Sequence, residues 1–368
     1  MILNNTCNLP RNVTLQLTEA CNLRCKMCYF WGETGTYSLR KIGKKPKALE
    51  IDVLFKLIKT LAPSKPFYSL FGGEPLLYPN LEELILAIKN AGSALDTPTN
   101  GTLLAEHAKM LVKTQFDYIR VSIDGPREVN DFQRGDGSYN KAMAGIETLH
   151  EEKLRIKSKK PSIEIIFTIT PKNFDTIEQF VLKDLNLDVI DRISFQMENF
   201  LTEEMGLAYA KLIKSEFNIR SDRYWKGLVR SPNDFNRIDT EELARQVNKI
   251  HHHLSKMNKI VMFEPPTYSS ENLSAYIKAN WSRMTDQYVT CYVPWVSVDI
   301  TSTGDLAPCH IFYDLVMGNL YEKDFEEIWN GKRYQKFRDY MNKNKLMPIC
   351  PGCCILYLAG KKKRKRKK

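Results

Sequence analysis

The 368 residues, 43% of them hydrophobic and 26% charged, suffice for one large core and a smaller one. No stretch approaches the roughly 20 apolar residues of a membrane-spanning helix, and Met1 to Arg11 holds no apolar run; this excludes a spanning segment and a signal peptide and predicts a soluble, cytoplasmic protein. Eight of the eleven net positive charges lie in residues 361–368, so the rest carries only +3 and shows no basic stripe for nucleic acid.

From residue 12 to about 197, short β-rich runs alternate with amphipathic segments. Strands are predicted at 13–18, 67–71, 94–99, 118–123, 163–169 and 192–197. Helices are predicted near 49–61, 81–90, 103–113, 141–150 and 176–183, the last two behind start signals at Ser138 and Asp175. Six βα repeats with nearly continuous apolar strands argue a parallel sheet, too short for a closed eight-stranded barrel. The expected fold class is therefore α/β, a partial (β/α)6 barrel over residues 1–200, with its chemistry at the carboxyl ends of the strands. A helical connecting region at 201–290 follows, in which Arg223, Tyr224 and Trp225 read as helix packing. Three adjacent histidines, His251 to His253, point about 100° apart on a helix and read as surface residues. Residues 291–356 form a small C-terminal domain, with a hairpin around Thr303, Gly304 and Asp305 plus a helix. Residues 357–368 are expected as a basic disordered tail, solvated or touching a membrane surface or an acidic partner.

The nine cysteines fall into two groups, three between Cys21 and Cys28 and five between Cys291 and Cys354, with Cys7 apart. In a reducing compartment, where disulfides are rare, such clustering reads as two metal sites. Cys21, Cys25 and Cys28 follow the first strand at spacings of four and three. Three thiolates wrap one corner of an iron–sulfur cube and leave one iron open, whereas four saturate it. The alternatives on these residues alone are a zinc site lacking its fourth ligand or free thiols. In the second group Cys291 and Cys309 flank the hairpin, and Cys350 and Cys353 form a knuckle. Two such pairs suit a structural zinc ion or a fully ligated [4Fe–4S] cluster.

The Cys-x3-Cys-x2-Cys segment after a first strand resembles the signature of the radical S-adenosylmethionine (SAM) superfamily, and further matches run across residues 12–197. Gly72-Gly73-Glu74-Pro75 after the second strand is similar to the family's GGEP motif. The resemblance implies glycines that let backbone approach the ligand, and a glutamate that receives the SAM ammonium. Thr99-Asn100-Gly101 follows the third strand, and Ser122-Ile123-Asp124-Gly125-Pro126 ends the fourth, with Arg134 before Gly135-Asp136-Gly137. By resemblance Asn100, Ser122, Asp124 and Arg134 lie at the SAM site, the last three near its ribose and carboxylate. The residue before the third cysteine is usually aromatic in the family and packs on the adenine; here Met27 stands there, and a thioether can fill that role. The implied chemistry is reductive cleavage of SAM to a 5′-deoxyadenosyl radical, which takes hydrogen from an unactivated C–H, with reduced flavodoxin or ferredoxin as electron donor.

The second cluster resembles the SPASM/twitch extension of such enzymes, including Gly304 five residues before Cys309, Gly318-Asn319 and Ile328-Trp329. The resemblance favours a [4Fe–4S] auxiliary cluster on Cys291, Cys309, Cys350 and Cys353 over zinc, and there are cysteines for only one. Cys7 and Cys354 are expected unligated, and His310 is expected beside the cluster. A saturated cluster serves electron transfer, which favours net oxidation of the substrate. The substrate is expected to be a small organic molecule (a sugar, aminocyclitol, metabolite or lipid headgroup), because Cys21 lies too near the start for a leader-peptide domain. A peptide or protein maturase and a radical epimerase are the alternatives, and a zinc-stabilised nucleic-acid-binding protein a remote one. Gln196 and Glu198, at the end of the sixth strand, are the candidates for a catalytic acid or base.

Overall fold

A computed structural model describes residues 9–38, 45–221 and 224–362. The first half runs β1 (Asn12–Thr18), α1 (Ile51–Leu61), β2 (Phe67–Gly72), α2 (Leu81–Asn90), β3 (Leu95–Thr99), α3 (Leu104–Lys113), β4 (Tyr118–Ser122), α4 (Arg127–Arg134), α5 (Ser138–Arg155), β5 (Ser162–Ile169), α6 (Ile177–Gln179) and β6 (Arg192–Met197). Then come α7 (Glu203–Phe217), α8 (Thr240–Lys256), β7 (Ile260–Glu264), α9 (Ser270–Ile277), β8 (Tyr288–Cys291), α10 (Val293–Val296), β9 (Ser297–Ile300), β10 (Asp305–Ala307) and β11 (Gly318–Asn319). The chain ends with α11 (Phe325–Trp329), α12 (Lys332–Asn344), α13 (Cys354–Ala359) and β12 (Gly360–Lys362). Two periods build these repeats. Leu54, Leu57, Ile58 and Leu61 make one buried stripe on α1, and alternate residues Val13, Leu15 and Leu17 of β1 are buried against the helices.

Ten strands share one sheet in the order β11–β10–β9–β1–β2–β3–β4–β5–β6–β7. The six predicted strands are all present, in sequence order and parallel, which makes the fold the expected α/β partial barrel. Two additions lengthen it. Strand β7 arises inside the region read as helical and pairs in parallel with β6; its half-exposed pattern at the sheet edge gave no alternating signal. The hairpin β9–β10 does not stand apart. Asn12, Val13, Thr14 and Leu15 pair in parallel with Ser297, Val298, Asp299 and Ile300, so the C-terminal cysteine region grows out of the barrel sheet.

Local expectations are also corrected. Ser138 opens α5 without capping it, because its hydroxyl donates to Asp131 Oδ1 at 3.1 Å. Asp175 starts no helix: α6 follows Thr176 and passes at once into a π turn, Phe180–Asp184. Residues 354–362, partly inside the expected tail, form α13 and β12; β12 pairs with β8, and Lys362 Nζ meets the buried Asp286 carboxylate at 2.8 Å. The rest of the tail, Cys7 and Arg223 lie outside the described residues. Trp225 is buried against Gly206 of α7, and His251, His252 and His253 are exposed on α8. Among the described residues no helix is long and apolar enough to cross a membrane.

Leu15 lies where the barrel and the hairpin meet, in register with both Leu70 and Ile300, all three fully buried. Leu15→Ala is expected to cost about 2–5 kcal/mol. Urea unfolding should show a lower midpoint, with barrel and hairpin probes still moving together.

Candidate metal centres

The loop leaving β1 is held by backbone on backbone. Gly73 N–H donates to Thr18 O at 2.7 Å and Glu74 N–H to Ala20 O at 2.8 Å. A methyl group on Gly72 would collide with the Thr18 carbonyl, and one on Gly73 with the Ala20 carbonyl. These glycines therefore admit the cysteine loop itself. Glu19 ties the loop further: its carboxylate accepts from Lys47 N–H at 2.9 Å and from Ser302 Oγ of the hairpin at 3.1 Å.

Cys21, Cys25 and Cys28 are half-buried on this loop. Leu23 N–H approaches Cys21 Sγ at 3.5 Å and Trp31 N–H approaches Cys28 Sγ at 3.3 Å, donors that favour thiolate sulfur. Burial pushes the free Cys21 thiol up to about 12 and Cys25 to about 11, the latter despite the Arg134 guanidinium. As free thiols they hold their protons at neutral pH, so a metal that binds them must displace those protons.

The other expected SAM-site residues surround the loop. Glu74 is buried and accepts from Leu76 N–H at 3.1 Å, Thr99 Oγ1 at 2.8 Å and Asn100 N–H at 2.8 Å. Burial raises its pKa against those donors. Asn100 Nδ2 reaches Asn22 Oδ1, inside the cysteine loop, at 2.8 Å. Asp124 and Arg134 form a buried fork, with Nε–Oδ2 at 2.6 Å and Nη2–Oδ1 at 3.0 Å. Burial alone would lower the Arg134 pKa; Asp124 and the Cys25 sulfur reverse this and raise it. Ser122 is half-buried at the end of β4, and Met27 half-buried on the loop.

Two contacts from distant sequence were not foreseen. Arg230 Nη2 donates to Met27 O at 3.3 Å while its Nε meets Glu198 Oε1 at 2.8 Å, so one acid/base candidate is already ion-paired. Burial raises the Glu198 pKa and Arg230 opposes that rise. Tyr29 Oη lies 2.7 Å from His310 Nε2, and His310 Nδ1 lies 2.9 Å from Asp299 Oδ2. Gln196 stands half-buried beside Thr168 and Glu264 in the register.

Cys291, Cys309, Cys350 and Cys353, all buried, line one pocket whose other walls, Phe312 and Met341 among them, are apolar. Burial raises all four thiols, and Cys350 reaches about 12; for Cys353 the hydrogen bond with Cys354 is the larger cause. Cys354 is not part of this lining and accepts from Asn199 Nδ2 at 3.1 Å. Arg338 braces the wall, donating to Pro294 O at 2.9 Å and Trp329 O at 2.8 Å. Among the described residues no three His, Cys, Asp or Glu side chains converge on a single ion position. Four buried thiols can ligate the four irons of a [4Fe–4S] cube or a single zinc ion.

The fold, the three-cysteine loop and the four-cysteine chamber agree with what comparison finds. Residues 15–183 match the family model of the Radical SAM superfamily, and residues 291–354 match SPASM, an iron–sulfur cluster-binding domain. Residues 15–183 are thus a radical SAM domain and residues 291–354 a SPASM domain, whose cofactors are a [4Fe–4S] cluster used with SAM and auxiliary iron–sulfur. The chain is similar to the tungsten-containing aldehyde ferredoxin oxidoreductase cofactor-modifying protein of Pyrococcus furiosus, 23% identical over 93% of this chain and 86% of the relative. It is 26% identical to the AdoMet-dependent heme synthase of Methanosarcina barkeri over 90% of this chain and 86% of the relative. The structure of Streptococcus suis SuiB bound to S-adenosylmethionine superposes with a TM-score of 0.62 at 16% identity, covering 90% of this chain and 68% of SuiB.

Gly73→Ala is expected to displace the cysteine loop while sparing the second chamber. Anaerobic reconstitution should yield folded protein, by circular dichroism, with about four irons rather than about eight.

Proposed function

We propose that the chain cleaves SAM at a cluster held by Cys21, Cys25 and Cys28 and oxidises a small organic substrate, with an auxiliary [4Fe–4S] cluster held by Cys291, Cys309, Cys350 and Cys353. The observation that carries this reading is the contrast between the two thiol sets. Three thiols sit on a half-buried loop at the carboxyl end of a parallel sheet, where a ligand can reach an open metal position. Four are buried along one apolar pocket, enough to ligate every iron of a cube. When bound, the first cluster supplies the electron that splits the sulfonium of SAM, and the second takes up the electron an oxidised substrate releases.

The protein's own residues bind and orient. Glu74 spends three of its four lone-pair positions on Leu76, Thr99 and Asn100 and keeps one for the SAM ammonium. Gly72 and Gly73 hold the loop against β2, and Asn100 fixes Asn22 within it. The Arg134–Asp124 fork and Ser122 border the ribose and carboxylate, and the Met27 thioether packs on the adenine. With Glu198 paired to Arg230, Gln196 is the better placed of the two candidates to meet substrate. The relatives that align along nearly the whole chain have names concerned with a tungsten enzyme's cofactor and with heme, which supports a non-peptide substrate over the peptide alternative. A reduced flavodoxin or ferredoxin is the proposed electron donor.

Anaerobically purified protein should contain about eight irons, against about four if the second chamber held zinc. Dithionite and SAM should yield 5′-deoxyadenosine, measured by chromatography. Replacing Cys21, Cys25 and Cys28 together with Ala should abolish that product, whereas Cys309→Ala should spare it and block substrate oxidation. Undiminished cleavage in the triple variant would sink the assignment.

A further inference from the structure

The carboxyl rim of β5, β6 and β7 carries three polar side chains in one row. Thr168 pairs with Gln196 across β5 and β6, and Gln196 pairs with Glu264 across β6 and β7, so the register sets all three on the same face. Each is half-buried, and none of the three side chains has a hydrogen-bond or ion-pair partner among the described residues. The remaining charged groups on this face are matched. Arg120 of β4 meets Asp96 of β3 at 2.9 Å, and Arg192 of β6 stands 3.7 Å from Glu164 of β5, which also accepts from Ser194 Oγ. Of Asp96, Glu164 and Glu264, the first two each have a guanidinium partner and Glu264 has none. Burial pushes the Glu264 carboxyl up to about 7, Arg120 opposing and Glu164 adding to the rise; Tyr268, just after β7, is the other titratable group beside it.

We propose that this row is the polar end of the substrate site, with Glu264 as counter-ion to a protonated amino group and Gln196 and Thr168 as its neutral hydrogen-bond partners. The assignment rests on the radical SAM reading, which puts the substrate at this mouth of the sheet. An alkylammonium has three N–H donors and no acceptor, and Glu264, the Gln196 carbonyl and the Thr168 hydroxyl are acceptors side by side. An ammonium also cancels the unmatched charge, whereas a carboxylate or phosphate would double it.

The test titrates anaerobically reconstituted holoenzyme with cyclohexylamine, cyclohexanol and cyclohexanecarboxylate by calorimetry near pH 8. Cyclohexylammonium should bind the wild type at least about tenfold more tightly than it binds Glu264→Gln, the scale of one charged hydrogen bond. Its affinity should fall as the pH drops through about 7, because Glu264 takes up a proton there while the amine stays charged. Gln196→Lys, which supplies its own ammonium beside Glu264, should also lose amine binding and serves if the first variant fails to fold. Equal amine affinity in wild type and Glu264→Gln, retained binding in Gln196→Lys, tighter binding of the carboxylate, or no amine binding to the wild type would each overturn the proposal. Wild-type 5′-deoxyadenosine formation in the same preparation separates the two readings: amine binding without that product removes the enzyme reading and leaves the site.

Discussion

Strand β1 is hydrogen-bonded along both edges, to β2 on one side and to β9 on the other, and the relative position of the two thiol sets follows from that. Adjacent strands lie about 4.8 Å apart, so the loops leaving three parallel neighbours must crowd together at their carboxyl ends. The loop after β1 brings Cys21, Cys25 and Cys28; the turn after β2 brings Glu74; the turn after β9 brings Ser302, and β10 runs back from it toward Cys309. Glu19 uses its two carboxylate oxygens to seal this crowding, one toward Lys47 and one toward Ser302. Gly73 makes the same point sterically, because only a residue without a Cβ lets the Ala20 carbonyl come so near. Two centres separated by more than 260 residues of chain are thereby built on one pleated frame.

That frame carries many ionised groups away from water, and each of them needs a partner there. A buried ion is tolerated when a partner and good hydrogen bonds replace its hydration. The Arg134–Asp124 fork meets this condition, as Asp124 Oδ1 also accepts from Thr168 N–H at 2.8 Å. So does Glu198 with Arg230, where the guanidinium also serves the Gly227 and Val229 carbonyls. Glu74 is satisfied by neutral donors alone. Such matching holds elements together and, at Glu74 and the Arg134–Asp124 fork, sets in place the groups that the proposed SAM site uses.

Much of this was legible in the sequence because it is local. The six strands of the barrel carry their own apolar runs, and each motif lies within a few residues of the strand that presents it: the cysteine loop after β1, Glu74 after β2, Asn100 after β3, Asp124 after β4. The hairpin was legible from its turn residues. What escaped was long in range or weak in pattern. Strand β7 is five residues at a sheet edge, Ile260 to Glu264, and follows a polar helix, so neither period stood out. Arg230 reaches Met27 across 203 residues, and nothing near Arg230 marks it as belonging to the cysteine loop.

The bridge between the two centres illustrates how hydrogen bonding can settle a chemical state. Asp299 Oδ2 accepts from Tyr313 Oη at 3.1 Å and faces His310 Nδ1 at 2.9 Å. In a neutral imidazole, a proton on Nδ1 serves this carboxylate and leaves Nε2 as an acceptor. Tyr29 Oη, 2.7 Å from Nε2, must then be the donor. The chain of protons runs one way, from the residue after Cys28 through the residue after Cys309 to a carboxylate on β9. Burial raises the Tyr29 and Tyr313 hydroxyls well above the ordinary phenol range, so both keep the proton this arrangement requires. Because every group in the chain has its partner, the network fixes the ring of Tyr29 and the backbone around it. It is a mechanical tie between the two thiol sets as much as an electrostatic one.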